Sequence, residues 1–289
     1  MHRERVSDNV FWFQSEVYAQ VTAGVVTGPQ WAVVIDTLAI PEETLTMREF
    51  VEHELNIPVR YVINTHYHAD HSWGNCFFPG ATIIAHARCR ELLTQRGIPS
   101  LEMAHKQNTI LRQVKIILPH MTFAHGEFSM RVGKKNLRMM PALGHSDDGI
   151  AVLVEEDRVL FAGDTFMPLP YLVDGDPDDL TASFKHIARM GLENIIQGHG
   201  DIILRGEIDN AVKDNLNYIT AIRKAVKTAA RRKSPFEFLD DVSIEDCGKS
   251  RVHLGGLTET LHRRNLRALY QRSLGEERKR DEDQEPVPR

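Results

Sequence analysis

The sequence predicts an α/β fold, and three observations carry that expectation. Strand-like and helical segments alternate along the chain without a clean break, the strand-like runs are short and rich in β-branched residues, and glycine or proline punctuates their ends. At 289 residues with 42% apolar side chains, the chain can bury a substantial core.

The elements follow in order. From Val10 to Asp36 short apolar runs are broken by Gly24, Gly28 and Pro29, and Trp31-Ala-Val-Val-Ile-Asp36 reads as a buried strand, so the opening is β-rich. Pro41 starts a helix running to about Asn56, because proline suits the first helical turn. The strand Val59 to Asn64 follows, then the strand Ala81 to Ala85 and a helix from Arg88 to Arg96 that Gly97 is expected to close. A less regular stretch reaches Gly126. Strands return at Phe128 to Val132, Leu137 to Ala142, Ile150 to Val154 and Val159 to Ala162, followed by a helix from about Asp179 to Met190 that stops at Gly191. Two helices, Gly206 to about Lys233 and Thr258 to Arg272, complete one domain over residues 1–272. Residues 273–289 read as a charged, proline-ended, disordered tail.

Composition narrows the functional classes. A net charge of −5 provides no global attraction to nucleic acid, so none is expected as a partner. The longest apolar runs, such as Ile150 to Val154 and Val159 to Ala162, fall far short of the ~20 residues a membrane helix needs. The first ten residues mix both charge signs without an apolar stretch, so no secretory signal is read and a cytoplasmic location is expected. Three cysteines at wide spacings, Cys76, Cys89 and Cys247, fit a reducing compartment better than a disulfide framework. The basic run Lys224 to Lys233 reads as a solvated helix face.

Chemistry concentrates where a strand ends. Thr65-His66-Tyr67-His68-Ala69-Asp70-His71 packs four metal-binding side chains into six residues, and in an extended loop His66 and His68 project to one side. As the chain turns, Asp70 and His71 reach a neighbouring point, so one loop can serve two adjacent cations. His145, Asp164 and His199 each end a strand-like run with glycine immediately before them. Separate strand ends converging on one sheet edge is how α/β proteins assemble sites.

With these residues in view, the sequence resembles the metallo-β-lactamase superfamily. His66, His68, Asp70 and His71 match its HxHxDH motif in full, and the later positions match in order from about Val10 to Asp201. The resemblance implies a four-layer αββα sandwich with two mixed sheets flanked by helices. It implies that His66, His68 and His145 hold one metal, that Asp70, His71 and His199 hold the other, and that Asp164 bridges them. Some true β-lactamases of the family carry cysteine at the Asp164 position, so an aspartate looks more like the glyoxalase II and lactonase branches. Two Zn²⁺ per chain are expected, with iron or manganese as alternatives, and the net positive site favours anionic or polarised groups. Zinc lowers the pKa of bound water to ~7, so a metal-bridging hydroxide is the expected nucleophile, with Asp70 accepting and returning a proton.

Asp36, Ser146, Asp148 and His86 are candidates to orient the ligating imidazoles through their free N–H groups. Residues Thr165 to Tyr171 are candidates for the pocket mouth. The expected activity is hydrolysis of an acyl bond in a small molecule, whether lactone, thioester or amide, with a β-lactam included. A phosphodiesterase and a single-iron sulfur dioxygenase are the competing readings, and the sequence fixes neither substrate nor oligomeric state.

Overall fold

The structure, a computed structural model, describes the backbone of residues 1–284 and the side chains of residues 1–275. Two sheets face each other. The first runs in chain order, β1 (His2–Ser7), β2 (Val10–Gln14), β3 (Thr22–Thr27), β4 (Ala32–Ile35), β5 (Val59–Ile63), β6 (Thr82–His86) and β7 (Met121–Phe123). β1 to β4 pair antiparallel and β4 to β7 parallel. The second holds β8 (Phe128–Val132), β9 (Lys135–Pro141), β10 (Ile150–Val154), β11 (Val159–Gly163), β12 (Asn194–Gln197) and β13 (Ile203–Leu204). Its order is β13-β12-β11-β10-β9-β8, antiparallel except between β11 and β12. Each sheet is therefore mixed, as the resemblance implies.

Period-two alternation explains why both sheets are buried on two faces. Val26, Val33, Ile35 and Ile63 of the first sheet meet Met139, Val152, Val154 and Phe161 of the second in the central core. Their neighbours point outward under helices. Ala23, Val25, Val34 and Val62 pack beneath α1 (Pro41–Glu49), with Met47 and Phe50, in the outer layer of the first sheet. Beside it lie α2 (Ala69–Ser72), α3 (Ala87–Leu92) and α4 (Ile98–Gln107). Ala151, Leu153, Leu160 and Ala162 pack beneath α5 (Pro177–Ile187), α6 (Ile208–Ala229), α7 (Pro235–Asp241) and α8 (Leu257–Gln284). The result is a helix-sheet-sheet-helix sandwich. No described helix is long and apolar enough to cross a membrane.

Several local expectations need correction. Gly97 does not close a helix. It adopts a right-handed φ of −63° and the chain runs through it into α4, whose first turn takes Pro99. The stretch expected to be irregular up to Gly126 thus contains α4 and β7. The charged segment His2–Ser7, not read as a strand, forms the sheet edge, where charge discourages pairing with another chain. The last helix, expected to stop at Arg272, continues to Gln284 through residues rich in Glu, Lys and Arg, which are good helix formers. Of the tail expected to be disordered, residues 285–289 lie outside the described residues.

The two sheets come into close contact at Gly24. A Cβ there would lie 1.9 Å from Phe161 Cε1 across the core, so only glycine lets the Phe161 ring lie flat against β3. Gly24→Ala should therefore lower unfolding free energy by about 1–3 kcal/mol through overpacking, read as an equilibrium denaturant midpoint. Adding Phe161→Leu should return part of the loss, and strictly additive effects of the two changes would contradict this contact.

Candidate metal centre

Three strands of the second sheet end at the same edge, since β9 and β11 both run antiparallel to β10 while β12 runs parallel to β11. His145, Asp164 and His199 follow those three ends. The loop after β5 brings His66 and His68 to the same edge, and α2 supplies Asp70 and His71. Backbone hydrogen bonds knit the sheets together there: Ile150 N–H donates to Thr65 O at 2.9 Å and Thr22 N–H to Gly198 O at 2.9 Å. Gly198 also has to be glycine, because a Cβ would stand 1.9 Å from Asp164 Oδ1.

Two groups of side chains result. His66, His68, His145 and Asp164 present ligand atoms within 4.8 Å of one another, and Asp70, His71 and His199 do the same beside them. Asp164 faces both. Its Oδ2 is 3.3 Å from His145 Nε2 and 3.7 Å from His66 Nε2, while its Oδ1 is 3.1 Å from His71 Nε2 and 3.5 Å from His199 Nε2. Asp70 Oδ2 lies 3.4 Å from His199 Nε2.

The outer edge of every imidazole meets an acceptor. Asp36 accepts from His71 Nδ1 at 2.9 Å, from the Thr65 hydroxyl at 2.7 Å and from Thr65 N–H at 2.8 Å. Having donated its proton to Asp36, the Thr65 hydroxyl can only accept from His66 Nδ1, at 3.0 Å. His145 Nδ1 donates to Tyr171 O at 3.0 Å, His199 Nδ1 to Ala19 O at 2.8 Å, and His68 Nε2 to Asp174 at 3.4 Å. With all five rings neutral, as metal ligation requires, these partners assign the tautomers and leave five nitrogen lone pairs pointing inward. His68 Nδ1 then lies 3.0 Å from His66 Nε2 and 2.9 Å from His145 Nε2, lone pair against lone pair. His71 Nε2 and Asp164 Oδ1, both buried and 3.1 Å apart, make no well-aligned hydrogen bond with each other or with any other described residue. Repelling lone pairs and orphaned buried atoms are what a cation between them would resolve, so the donor set fits divalent metal.

Electrostatics point the same way. Burial pushes His66 well below the ordinary histidine range and His145 down to about 4, so both are neutral donors at pH 7. At His71 and His199 burial is overcome by Asp164, with Asp36 and Asp70 adding to the pull at His71 and Asp70 at His199. His71 is raised well above its usual value and His199 to about 10. Burial opposes ionisation of Asp164 and Asp70 as well. Even so, His199, His71 and His145 hold Asp164 well below the carboxylate range, and His71 with His199 hold Asp70 at about 2. The carboxylates thus demand positive charge, which protons supply when metal does not.

Not every expected residue serves the site. Asp36 does, in a left-handed conformation with φ of 59° that locates strain beside the ligands. His86 does not. Its Nδ1 accepts from Arg88 N–H at the start of α3 and its Nε2 bonds to Ala124 O, so both ring nitrogens are spent on capping. Ser146 and Asp148 are buried, but neither hydrogen-bonds to a ligating imidazole among the described residues, and burial pushes the Asp148 carboxyl up. Asp174, which sequence reasoning missed, takes the orienting part expected of them for His68, held by Tyr67 at 3.1 Å and Arg96 at 3.3 Å. The other missed acceptors are backbone carbonyls of Ala19 and Tyr171, which leave no side-chain signature. Above the ligands opens a cavity of about 790 Å³. Met167 and Tyr171 of the expected mouth segment line it, whereas Phe166 and Leu169 are buried in the core beneath α5 and α6.

Comparison with known proteins agrees with this geometry. The sequence profile described as the Metallo-beta-lactamase superfamily matches residues 18–199, which include all seven candidate ligands. The Beta-lactamase-like protein 2 homolog of Caenorhabditis elegans is 23% identical over 174 residues, covering 60% of this chain and 53% of the nematode protein. Thioesterase pkgB of Emericella nidulans is 28% identical over 176 residues, covering 61% of this chain and 41% of the fungal one. The chain thus matches about half or less of the length of these relatives. The fold of the stereoselective inverting sec-alkylsulfatase Pisa1 from Pseudomonas sp. superposes with a TM-score of 0.74 at 16% identity, covering 99% of this chain and 52% of that one. With more than half its length matched by the family profile, the chain belongs to the metallo-beta-lactamase superfamily.

Proposed function

We propose that the chain is a two-metal acyl hydrolase, with zinc the expected ion, acting on thioesters in preference to lactones and amides. The observation that carries the reading is Asp164, whose two oxygens each face one of the two ligand groups, as a bridging carboxylate requires. The thioester preference draws support from the fungal relative's name, thioesterase. The three free cysteines support a reducing, cytoplasmic setting.

In this reading His66, His68, His145 and Asp164 would hold one ion, and Asp70, His71 and His199, sharing Asp164, would hold the second. When bound, such a pair supplies Lewis acidity for the acyl oxygen and acidifies water at neutral pH. The chain's own residues do the rest. Asp70, ionised throughout the working range, accepts a hydrogen bond from the attacking water and carries its proton briefly to the leaving sulfur. A C–O bond forms, the C–S bond breaks, and a carboxylic acid and a thiol leave. Tyr67 and Trp73 wall the cavity and keep bulk water from the acyl group.

Metal uptake should report the protons that His71 and His199 hold. Loading metal-free protein at pH 7 should release about two protons per chain, because a ligating imidazole must be deprotonated. The sign follows from the raised values: release shrinks as pH rises past about 10, where His199 is already neutral, and metal affinity weakens as pH falls. A pH-stat titration with no proton release would contradict the assignment. Substitution separates the ligand roles. Asp164→Ala should lower occupancy of both ions and cut thioester turnover more than ~100-fold, beyond the 10–100-fold typical of orienting residues. His199→Ala should lower metal content from ~2 to ~1 per chain with the fold retained. Elemental analysis beside kinetics decides, and two ions retained in either variant would refute the reading.

A further inference from the structure

The face of α8 that borders the cavity carries Leu257, Leu261 and Arg264, spaced by four and three residues on one helical stripe. The neighbouring arginines of this helix are all engaged. Arg263 pairs with Glu259 at 3.0 Å, Arg267 with Asp240 at 2.8 Å, and Arg272 donates to Gly175 O at 2.6 Å. Arg264 is different. Among the described residues it makes no hydrogen bond or ion pair, and it lines the cavity above the metal ligands. The other cavity arginine, Arg96, is bound to Asp174 and the Tyr67 hydroxyl, so its charge is matched within the protein.

The backbone that presents Arg264 is held in place relative to the candidate ligands. Its neighbour Asn265, fully buried, donates to Pro170 O at 2.7 Å and accepts from Leu172 N–H at 2.8 Å. Between those residues lies Tyr171, whose carbonyl holds His145. The α8 backbone that carries Arg264 is therefore tied through the 170–172 segment to the candidate metal centre, while the arginine side chain itself is exposed.

We infer that Arg264 is a carboxylate receptor, and that the substrates are thioesters carrying a carboxylate a short apolar spacer from the scissile bond. The inference rests on the acyl hydrolase reading. A planar guanidinium binds carboxylate through two parallel hydrogen bonds, and its single unmatched charge suits one carboxylate better than a dianionic phosphate. Leu257 and Leu261 alongside it cover the apolar spacer.

The test uses the full chain and two matched thioester pairs. One is the N-acetylcysteamine thioester of glutaric acid beside that of glutaric acid monoamide. The other is the acetyl thioester of 3-mercaptopropionate beside that of its amide, so the two arms place the charge on the acyl or the thiol side. In one arm kcat/KM should favour the acid about tenfold, the scale of a hydrogen bond to a charged group. Arg264→Gln should erase that preference by raising KM for the acid with kcat retained, leave the amide unchanged, and keep the melting temperature. Arg264→Lys should restore part of it. No acid preference in either arm, or a preference that survives Arg264→Gln, overturns the inference. Calorimetry with an uncleavable thioether analogue and its amide separates the two readings. Acid-selective, Arg264-dependent binding without turnover of any thioester sinks the hydrolase reading and leaves the receptor standing, whereas turnover without selectivity does the reverse.

Discussion

Five imidazole lone pairs and two carboxylates converge on a buried space a few ångströms across, and the arrangement is repulsive unless positive charge sits among them. Asp164 is the centre of that problem. Each of its oxygens faces a different set of nitrogens, at 3.1–3.7 Å, and the carboxylate is buried at the floor of the cavity. Protons on His71 and His199 relieve part of the strain. Two divalent cations would relieve all of it, placing each lone pair on an ion, and this electrostatic demand explains why the surrounding fold is built to resist collapse of the donors onto one another.

The resistance comes from the outer hydrogen bonds. Asp36 accepts three of them and thereby fixes both Thr65 and His71, and through the Thr65 hydroxyl it fixes His66 as well. Asp174, Tyr171 O and Ala19 O do the same for the remaining imidazoles. Those acceptors come from different sheets and loops, so the site exists only when the sheets are seated on each other. Close packing at Gly24 and the Thr22–Gly198 hydrogen bond set that seating. Stability of the sandwich and readiness of the site are in this sense one property.

Much of this could be read from sequence, for a physical reason. His66, His68, Asp70 and His71 are local, so their spacing alone reveals a shared loop, and His145, Asp164 and His199 follow β-branched runs through glycine. His86 has the same strand-end signature and yet caps a helix, because which way an imidazole turns depends on the nearest unsatisfied N–H. Asp174 and Arg264 left no trace. Their relation to the site arises from the fold of the 165–175 segment and the docking of α8, which span nearly a hundred residues through Asn265. Gly97 shows the limit of punctuation by glycine, since a helix-compatible φ let the chain continue.

Native mass spectrometry of the unmodified chain, purified without added metal and then titrated with zinc, tests the central claim most directly. The account predicts a species with ~2 ions per chain that persists after removal of excess metal, filled in a way that raises the melting temperature. A chain that saturates at one ion, or that gains no thermal stability from metal, would contradict the role given to Asp164.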